Sequence, residues 1–154
     1  MAVKGTYIYD WPRPMVTVDA AVFRQRPQGW EILLIQRGRE PFRGKWALPG
    51  GFLELDEELH DAAARELKEE TGLVGIDLQQ LCTIGTIGRD PRGRLLTVVY
   101  WGISQTDQRP CAGDDAHQAD WFAVRQLPEM AFDHADIVAI ATQKLLSVHP
   151  ENPK

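Results

Sequence analysis

Between Glu54 and Glu70 the chain places eight acidic side chains and two basic ones, and glycines close the stretch on both sides, Gly50-Gly51 before it and Gly72 after it. The whole chain carries a formal charge of −5; this one stretch carries −6, so the remainder is +1. The run Ala62–Glu70 is made of strong helix formers. It predicts a helix over about 57–71, with Asp56 as N-cap and acids in the first turn at the positive end of the dipole. Gly72 is placed to end that helix in the left-handed conformation, with Leu73 folding back onto it. Leu59, Ala63 and Leu67 form one apolar stripe. A helix advances about 100° per residue, so Glu66, Glu69 and Glu70 share an arc of roughly 100°. Carboxylates so placed repel one another, and of the nearby bases Arg65 is the i−4 partner of Glu69. A hard, oxygen-seeking divalent cation would relieve that repulsion. A solvated acidic face is the competing reading.

The rest of the composition bounds the class. At 154 residues, with 44% hydrophobic and 25% charged side chains, the chain reads as one globular domain, 1–154, able to bury a core without staples. An extended N-terminal arm is expected over 1–14 and a frayed tail over 148–154. No apolar run is long enough to span a membrane, and MAVKGTYIYDWPRP has no apolar signal-peptide core. Cys82 and Cys111 lie outside any CxxC pair, which excludes a zinc ribbon or disulfide scaffold and suits a reducing cytoplasm. The anionic balance argues against a nucleic-acid binder.

Strands are predicted at 15–23 and 31–37, followed by a polar loop over 38–45 and the short extended piece WALPGG. Residues 79–88 and 94–104 read as two strands joined by Asp90-Pro91-Arg92-Gly93, the pattern of a type I turn. A short strand at 119–123 precedes a second amphipathic helix over 134–147, with Ile137, Ile140, Ala141 and Leu145 on one face. This order predicts a mixed-sheet α/β or α+β layer fold.

Gly51, five residues, Glu57, seven residues and then Arg65-Glu66-Leu67-Lys68-Glu69-Glu70-Thr71-Gly72-Leu73 resembles the Nudix box, G-x5-E-x7-R-E-U-x-E-E-x-G-U with U aliphatic, at every defined position. Trp46 and Leu48-Pro49-Gly50-Gly51 resemble the segment before the box, and the wider likeness runs from about 16 to 147. The resemblance implies an α/β/α sandwich around a mixed β-sheet, with the box as a loop-helix-loop that holds Mg²⁺ or Mn²⁺. It implies hydrolysis of a pyrophosphate linking a nucleoside to another moiety, with a nucleoside diphosphate derivative as substrate. It further implies Glu66, Glu69 and Glu70 as metal ligands, Glu66 doubling as candidate general base, and Gly51 offering its carbonyl. Glu57, about half a turn around from Glu66, is then a supporting partner that orients the ligands, with Arg65; an ordinary helix ion pair is the alternative for Arg65. Members often dimerise, so a homodimer is an open expectation, with no nucleic acid and no membrane as partners.

The family adds an acid from a later loop, and Asp114, Asp115 and Asp120 are the candidates. Arg89, Arg92 and Arg94 crowd GRDPRGR as either a phosphate clamp or an exposed turn, with Arg37 a further phosphate candidate. Pro91, 18 residues past the box, resembles a proline of ADP-ribose-hydrolysing members. Tyr7, Tyr9 and Trp11 suit base stacking, a dimer contact or core packing. Trp46, Tyr100, Trp101 and Phe122 suit the core or the pocket wall. For His134, a structural hydrogen bond is the default and a substrate contact the alternative, and both cysteines read as packing residues.

TVDAAVF, GRDPRG and AFDHA resemble the bacterial ADP-ribose pyrophosphatase group, so the expected reaction gives AMP and ribose 5-phosphate. The competing functions are clearance of oxidised dGTP, a non-catalytic ADP-ribose sensor and RNA decapping. The complete set of box acids and the lack of room after the last helix for a DNA-binding domain argue against the sensor. The missing basic stripe argues against decapping.

Overall fold

The computed structural model describes residues 7–113 and 116–151. Its elements are β1 (Met15–Arg26), β2 (Gly29–Arg37), β3 (Trp46–Ala47), β4 (Gly50–Phe52), α1 (Leu59–Thr71), β5 (Gln79–Ile84), β6 (Leu95–Ile103), β7 (Ala116–Ala123) and α2 (His134–Val148). The strands form one mixed sheet. β1 and β6 run parallel, in register from Met15 opposite Leu95 to Phe23 opposite Ile103. Antiparallel β5 borders β6, and antiparallel β7 borders β2.

β1 and β2 pair only close to their turn, Phe23–Arg26 against Gly29–Ile32. Farther on they diverge, and β4 fills the gap beside β1 while β3 fills it beside β2. Thr17, Val18 and Asp19 thus lie opposite Phe52, Gly51 and Gly50. That split brings the glycine pair to the middle of the sheet, alongside α1.

Successive side chains of a strand point to opposite faces, and here both faces are covered. Val18, Ala20 and Val22 of β1 join Ala62, Ala63 and Leu67 of α1 in one core. Ala21 and Phe23 join Ile137, Val138, Ala141 and Leu145 of α2 in the other. The central strands are near-continuous apolar runs for this reason. Each fully buried Leu, Ile or Phe contributes roughly 1.5–3 kcal/mol. The architecture is the expected α/β/α sandwich.

Several boundaries differ from expectation. Glu58, not Asp56, is the N-cap of α1 and caps with no side-chain hydrogen bond. The Glu54 N–H donates to Glu57 Oε1 at 2.9 Å, which holds 54–57 in a turn and delays the helix. Gly72 ends α1 as expected, at φ 76°, its N–H donating to the Lys68 carbonyl. The strand expected at 79–88 stops at Ile84, because Arg94 Nη1 binds the Gly85 carbonyl at 2.7 Å and Gly88 turns left-handed. β7 begins at Ala116 rather than 119. Ile140 is 39% exposed and Val138 takes its place in the core. At 100° per residue Ile140 falls on the shoulder of the stripe set by Ile137, Val138, Ala141 and Leu145. Val148 closes α2 instead of starting a loose tail, and Glu151 pairs with Arg125. The exposed Tyr7, Tyr9 and Trp11 pack into neither core; Tyr7 stacks on Tyr9 and Arg13 covers the Tyr9 ring. Cys82 is half-buried, whereas Cys111 is exposed and does not serve as a packing residue. Residues 1–6 of the arm, residues 152–154 of the tail, Asp114 and Asp115 lie outside the described residues.

Candidate active site

The site is built where β4 presses on α1. At Gly51 a Cβ would lie 2.4 Å from Glu66 Oε1, so the missing side chain is the space the carboxylate fills. At Gly50 a Cβ would lie 2.2 Å from the Val18 carbonyl oxygen and 2.4 Å from Asp19 Oδ1. The Gly50 N–H donates to Glu70 Oε2 at 3.0 Å. Two residues without side chains therefore let the backbone reach two of the three acids expected at the metal.

Arg65 organises the patch. Its Nε and Nη2 donate to the two oxygens of Glu57 at 2.9 and 2.7 Å. Its Nη1 donates to Glu66 Oε1 at 2.8 Å and Glu69 Oε2 at 3.2 Å, and Nη2 reaches the Phe52 carbonyl at 3.2 Å. One guanidinium so ties the loop before α1, the helix and β4 together. The hydrogen bonds from Arg65 hold Glu57 below the ordinary glutamate range. Glu66 moves the other way, because burial raises its pKa more than Arg65 lowers it. Glu69 is the solvent-facing member, with its side chain 54% exposed.

A cleft of about 80 Å³ opens beside this patch, bordered by Gly50, Glu70, Arg37, Arg89, Arg92 and Phe132, among others. The turn is exposed at Gly88 and from Pro91 to Arg94, but the Arg89 side chain turns inward from it, 4% exposed, and forks onto Asp133 at 2.8 and 2.7 Å. Arg92 forks onto Asp90 and lies 5.3 Å from the ring centres of both Phe52 and Phe132. Arg37 donates to the Pro41 carbonyl and covers Phe132 at 4.8 Å. Burial and then the Arg92 charge push its pKa down. Two cations thus meet on one aromatic ring, an arrangement an anion between them would relieve.

Other expected residues fall elsewhere. Arg94 points to the Gly85 carbonyl. Pro91 is exposed at the loop tip, outside the cleft lining. Trp46 packs edge-on against Phe122 at 4.6 Å in the α2-side core and does not border the cleft. Asp120 is exposed, accepts the Trp121 N–H and borders a different groove with Arg24 and Arg109. A larger groove, about 760 Å³, lies at the β1–β2 turn, and no expected site residue lines it.

Asp19, Asp90 and Phe132 border the cleft and Asp133 pairs with Arg89 beside it, yet the sequence gives none of the four a site role: Asp90 reads only as a turn residue. Asp19 left a signal as the single charge within the apolar run MVTVDAAVF. Phe132 left a signal only as part of the AFDHA likeness, since its place in the cleft depends on a left-handed backbone, φ 50°.

A model of the NUDIX domain matches residues 13–140. An ADP-ribose pyrophosphatase of Methanocaldococcus jannaschii is 40% identical over 125 residues, covering 81% of this chain and 71% of the relative. An ADPR responsive transcriptional repressor of Acinetobacter baylyi, NtrR, is 37% identical over 88% of this chain, which spans only 56% of the repressor. The solved NUDIX domain of Shewanella oneidensis NrtR, a complex with ADP ribose, superposes with a TM-score of 0.81 at 36% identity, covering 89% of this chain and 94% of that one. The chain belongs to the NUDIX family, and by class it is a Nudix pyrophosphohydrolase.

Nudix hydrolases generally use divalent metals. Among the described residues no three His, Cys, Asp or Glu side chains are already gathered closely enough to cage an ion. The donor chemistry nevertheless fits one: three carboxylates on one helical face, all hard oxygen ligands, with the Glu66 carboxylate held in the space a Cβ on Gly51 would take.

Proposed function

We propose that the chain hydrolyses the diphosphate of ADP-ribose to AMP and ribose 5-phosphate, with Mg²⁺ or Mn²⁺ held by Glu66, Glu69, Glu70 and the Gly51 carbonyl. The observation that carries this reading is the adjacency of the acidic patch to a cleft bordered by Arg37, Arg89 and Arg92. Acids for a metal and cations for phosphate oxygens meet at Gly50-Gly51. When bound, such an ion neutralises charge on the diphosphate and acidifies water.

The protein's own groups supply the rest. Arg37 and Arg92 bind the diphosphate oxygens. Glu66, whose pKa burial raises, takes the proton of the attacking water as the phosphorus–oxygen bond to the bridging oxygen breaks. Glu57 and Arg65 hold Glu66 and Glu69 in position. Both cysteines are free, in keeping with a cytoplasmic setting.

The test is a substrate panel of ADP-ribose, NADH, oxidised dGTP and diadenosine polyphosphates with Mg²⁺ and Mn²⁺. AMP and ribose 5-phosphate from ADP-ribose are expected. Inorganic pyrophosphate from oxidised dGTP, with ADP-ribose untouched, overturns the assignment. The likeness to an ADPR responsive repressor supports a second reading, a sensor that binds ADP-ribose without cleaving it. Saturable binding with no turnover at any metal concentration distinguishes it.

A further inference from the structure

The floor of the cleft holds a polar pair that the hydrolytic reading leaves unused. Asp19 and His134 both border the cleft, with side chains 8% and 7% exposed. A carboxylate buried in a central strand is costly unless its oxygens are bonded. Asp19 Oδ2 accepts the Thr97 hydroxyl at 2.5 Å. Asp19 Oδ1 faces His134 Nε2 at 3.8 Å, too far for a hydrogen bond.

The tautomer of His134 follows from its other nitrogen. Nδ1 accepts the Leu48 N–H at 2.9 Å. A nitrogen that accepts carries no proton, so in the neutral ring the proton sits on Nε2, facing Asp19. Burial favours that neutral ring. The floor therefore presents one donor and one acceptor, side by side and not satisfied by each other. A hydroxyl is the group that serves both at once, donating to the carboxylate and accepting from the imidazole. A phosphate oxygen does not suit the place, because Asp19 repels it; the cations that suit phosphate are Arg37 and Arg92 of the same cleft.

We infer that Asp19 Oδ1 and His134 Nε2–H together recognise a sugar hydroxyl on the group attached to the substrate's diphosphate, and so select a glycosyl diphosphate over a simple alkyl one. This rests on the pyrophosphatase reading for its choice of substrate. The test measures equilibrium binding by calorimetry in EDTA, where neither ligand is cleaved, with ADP-ribose and with ADP esterified by methanol, which keeps the diphosphate and lacks the second sugar. The wild type should favour ADP-ribose by about tenfold, the scale of one or two hydrogen bonds to buried groups. Asp19→Asn should bring that ratio close to one. His134→Asn offers the Leu48 N–H an acceptor in place of Nδ1 and removes the Nε2 donor; it should also cut the ratio severalfold, and it serves if Asp19→Asn fails to fold. Equal wild-type affinities mean that the pair holds water only and overturn the inference. So does a parallel fall in both affinities in the variants, which marks a purely structural role. Turnover with Mg²⁺ is measured separately: an intact affinity ratio without hydrolysis supports the pair and removes the pyrophosphatase reading.

Discussion

Arg65 grips Glu57 with a two-pronged hydrogen bond, Nε to Oε2 at 2.9 Å and Nη2 to Oε1 at 2.7 Å, although the two residues lie eight positions apart and only Arg65 belongs to α1. The same guanidinium reaches Glu66 and Glu69. Its planar fork is what lets one side chain serve three carboxylates, and lysine has no such fork. Arg65→Lys should therefore behave almost as badly as Arg65→Ala, with activity down on the order of 10- to 100-fold. Glu57→Gln should lie between these variants and the wild type. Steady-state kinetics over a range of Mg²⁺ concentrations checks this. A fully active Arg65→Lys enzyme would show that charge alone, without orientation, suffices.

Glu69 is exposed and contributes little to the fold, so its removal should be felt in turnover alone. Glu69→Gln is expected to cut kcat on the order of 100-fold or more while thermal unfolding stays within a degree or two. Glu70→Gln should lose as much activity. Its carboxylate also accepts the Gly50 N–H, a bond a glutamine oxygen can still accept. Wild-type turnover in either purified variant removes that residue from the proposed metal site.

The two glycines before the helix separate stability from activity. At Gly51 an added methyl group meets the tip of the Glu66 side chain, which can swing aside. Gly51→Ala should fold and lose most of its activity, because the displaced group is the candidate ligand and base. At Gly50 the obstacle is the Val18 carbonyl, fixed in the central strand. Gly50→Ala should cost about 1–3 kcal/mol of stability, the range for overpacking a filled interior. Chemical denaturation of both variants, set beside their kcat values, checks the contrast, and the reverse pattern would contradict the packing described.

The helix carrying the acids was legible because its signals are local: helix formers from Ala62 to Glu70 and a glycine stop at Gly72. The sandwich was legible because the apolar runs of β1, β2 and β6 have the composition of strands buried on both faces. The cleft was harder to read. Arg89 and Arg92 share a hydrophilic loop, and nothing local says that one turns inward to a half-buried aspartate 44 residues away. Trp46 follows the opposite course: adjacent to the Pro-Gly-Gly segment in sequence, it faces away from the site because β3 presents it to Phe122. Register and long-range pairing decide both cases.

The Arg89–Asp133 pair makes the loop after β5 part of the folded body. Arg89→Ala leaves the half-buried aspartate without its partner; because water reaches its exposed side, the loss should be about 1–3 kcal/mol, below that for a fully buried pair. The double variant Arg89→Met, Asp133→Leu should recover a good part of that stability without recovering activity. Denaturation curves for the single and double variants give the coupling. An additive result would mean that the pair is screened by water.

His134 gives the protein an acid-sensitive element whose sign follows from its burial. Burial lowers the pKa of the folded group from the ordinary 6.5, so the folded state keeps a neutral ring at a pH where the unfolded chain has taken a proton. Where the unfolded state binds more protons, stability rises with pH. The His134 contribution is therefore complete above about pH 6.5 and is lost progressively as pH falls from there towards the lower folded value, with a slope of up to about 1.4 kcal/mol per pH unit from one group. Urea unfolding between pH 7.5 and 5.5 should show this slope in the wild type and a flatter curve in His134→Asn. The same slope in both proteins would place the responsible group elsewhere; a flat wild-type curve would mean that the imidazole becomes charged within the folded protein, beside Asp19, without penalty.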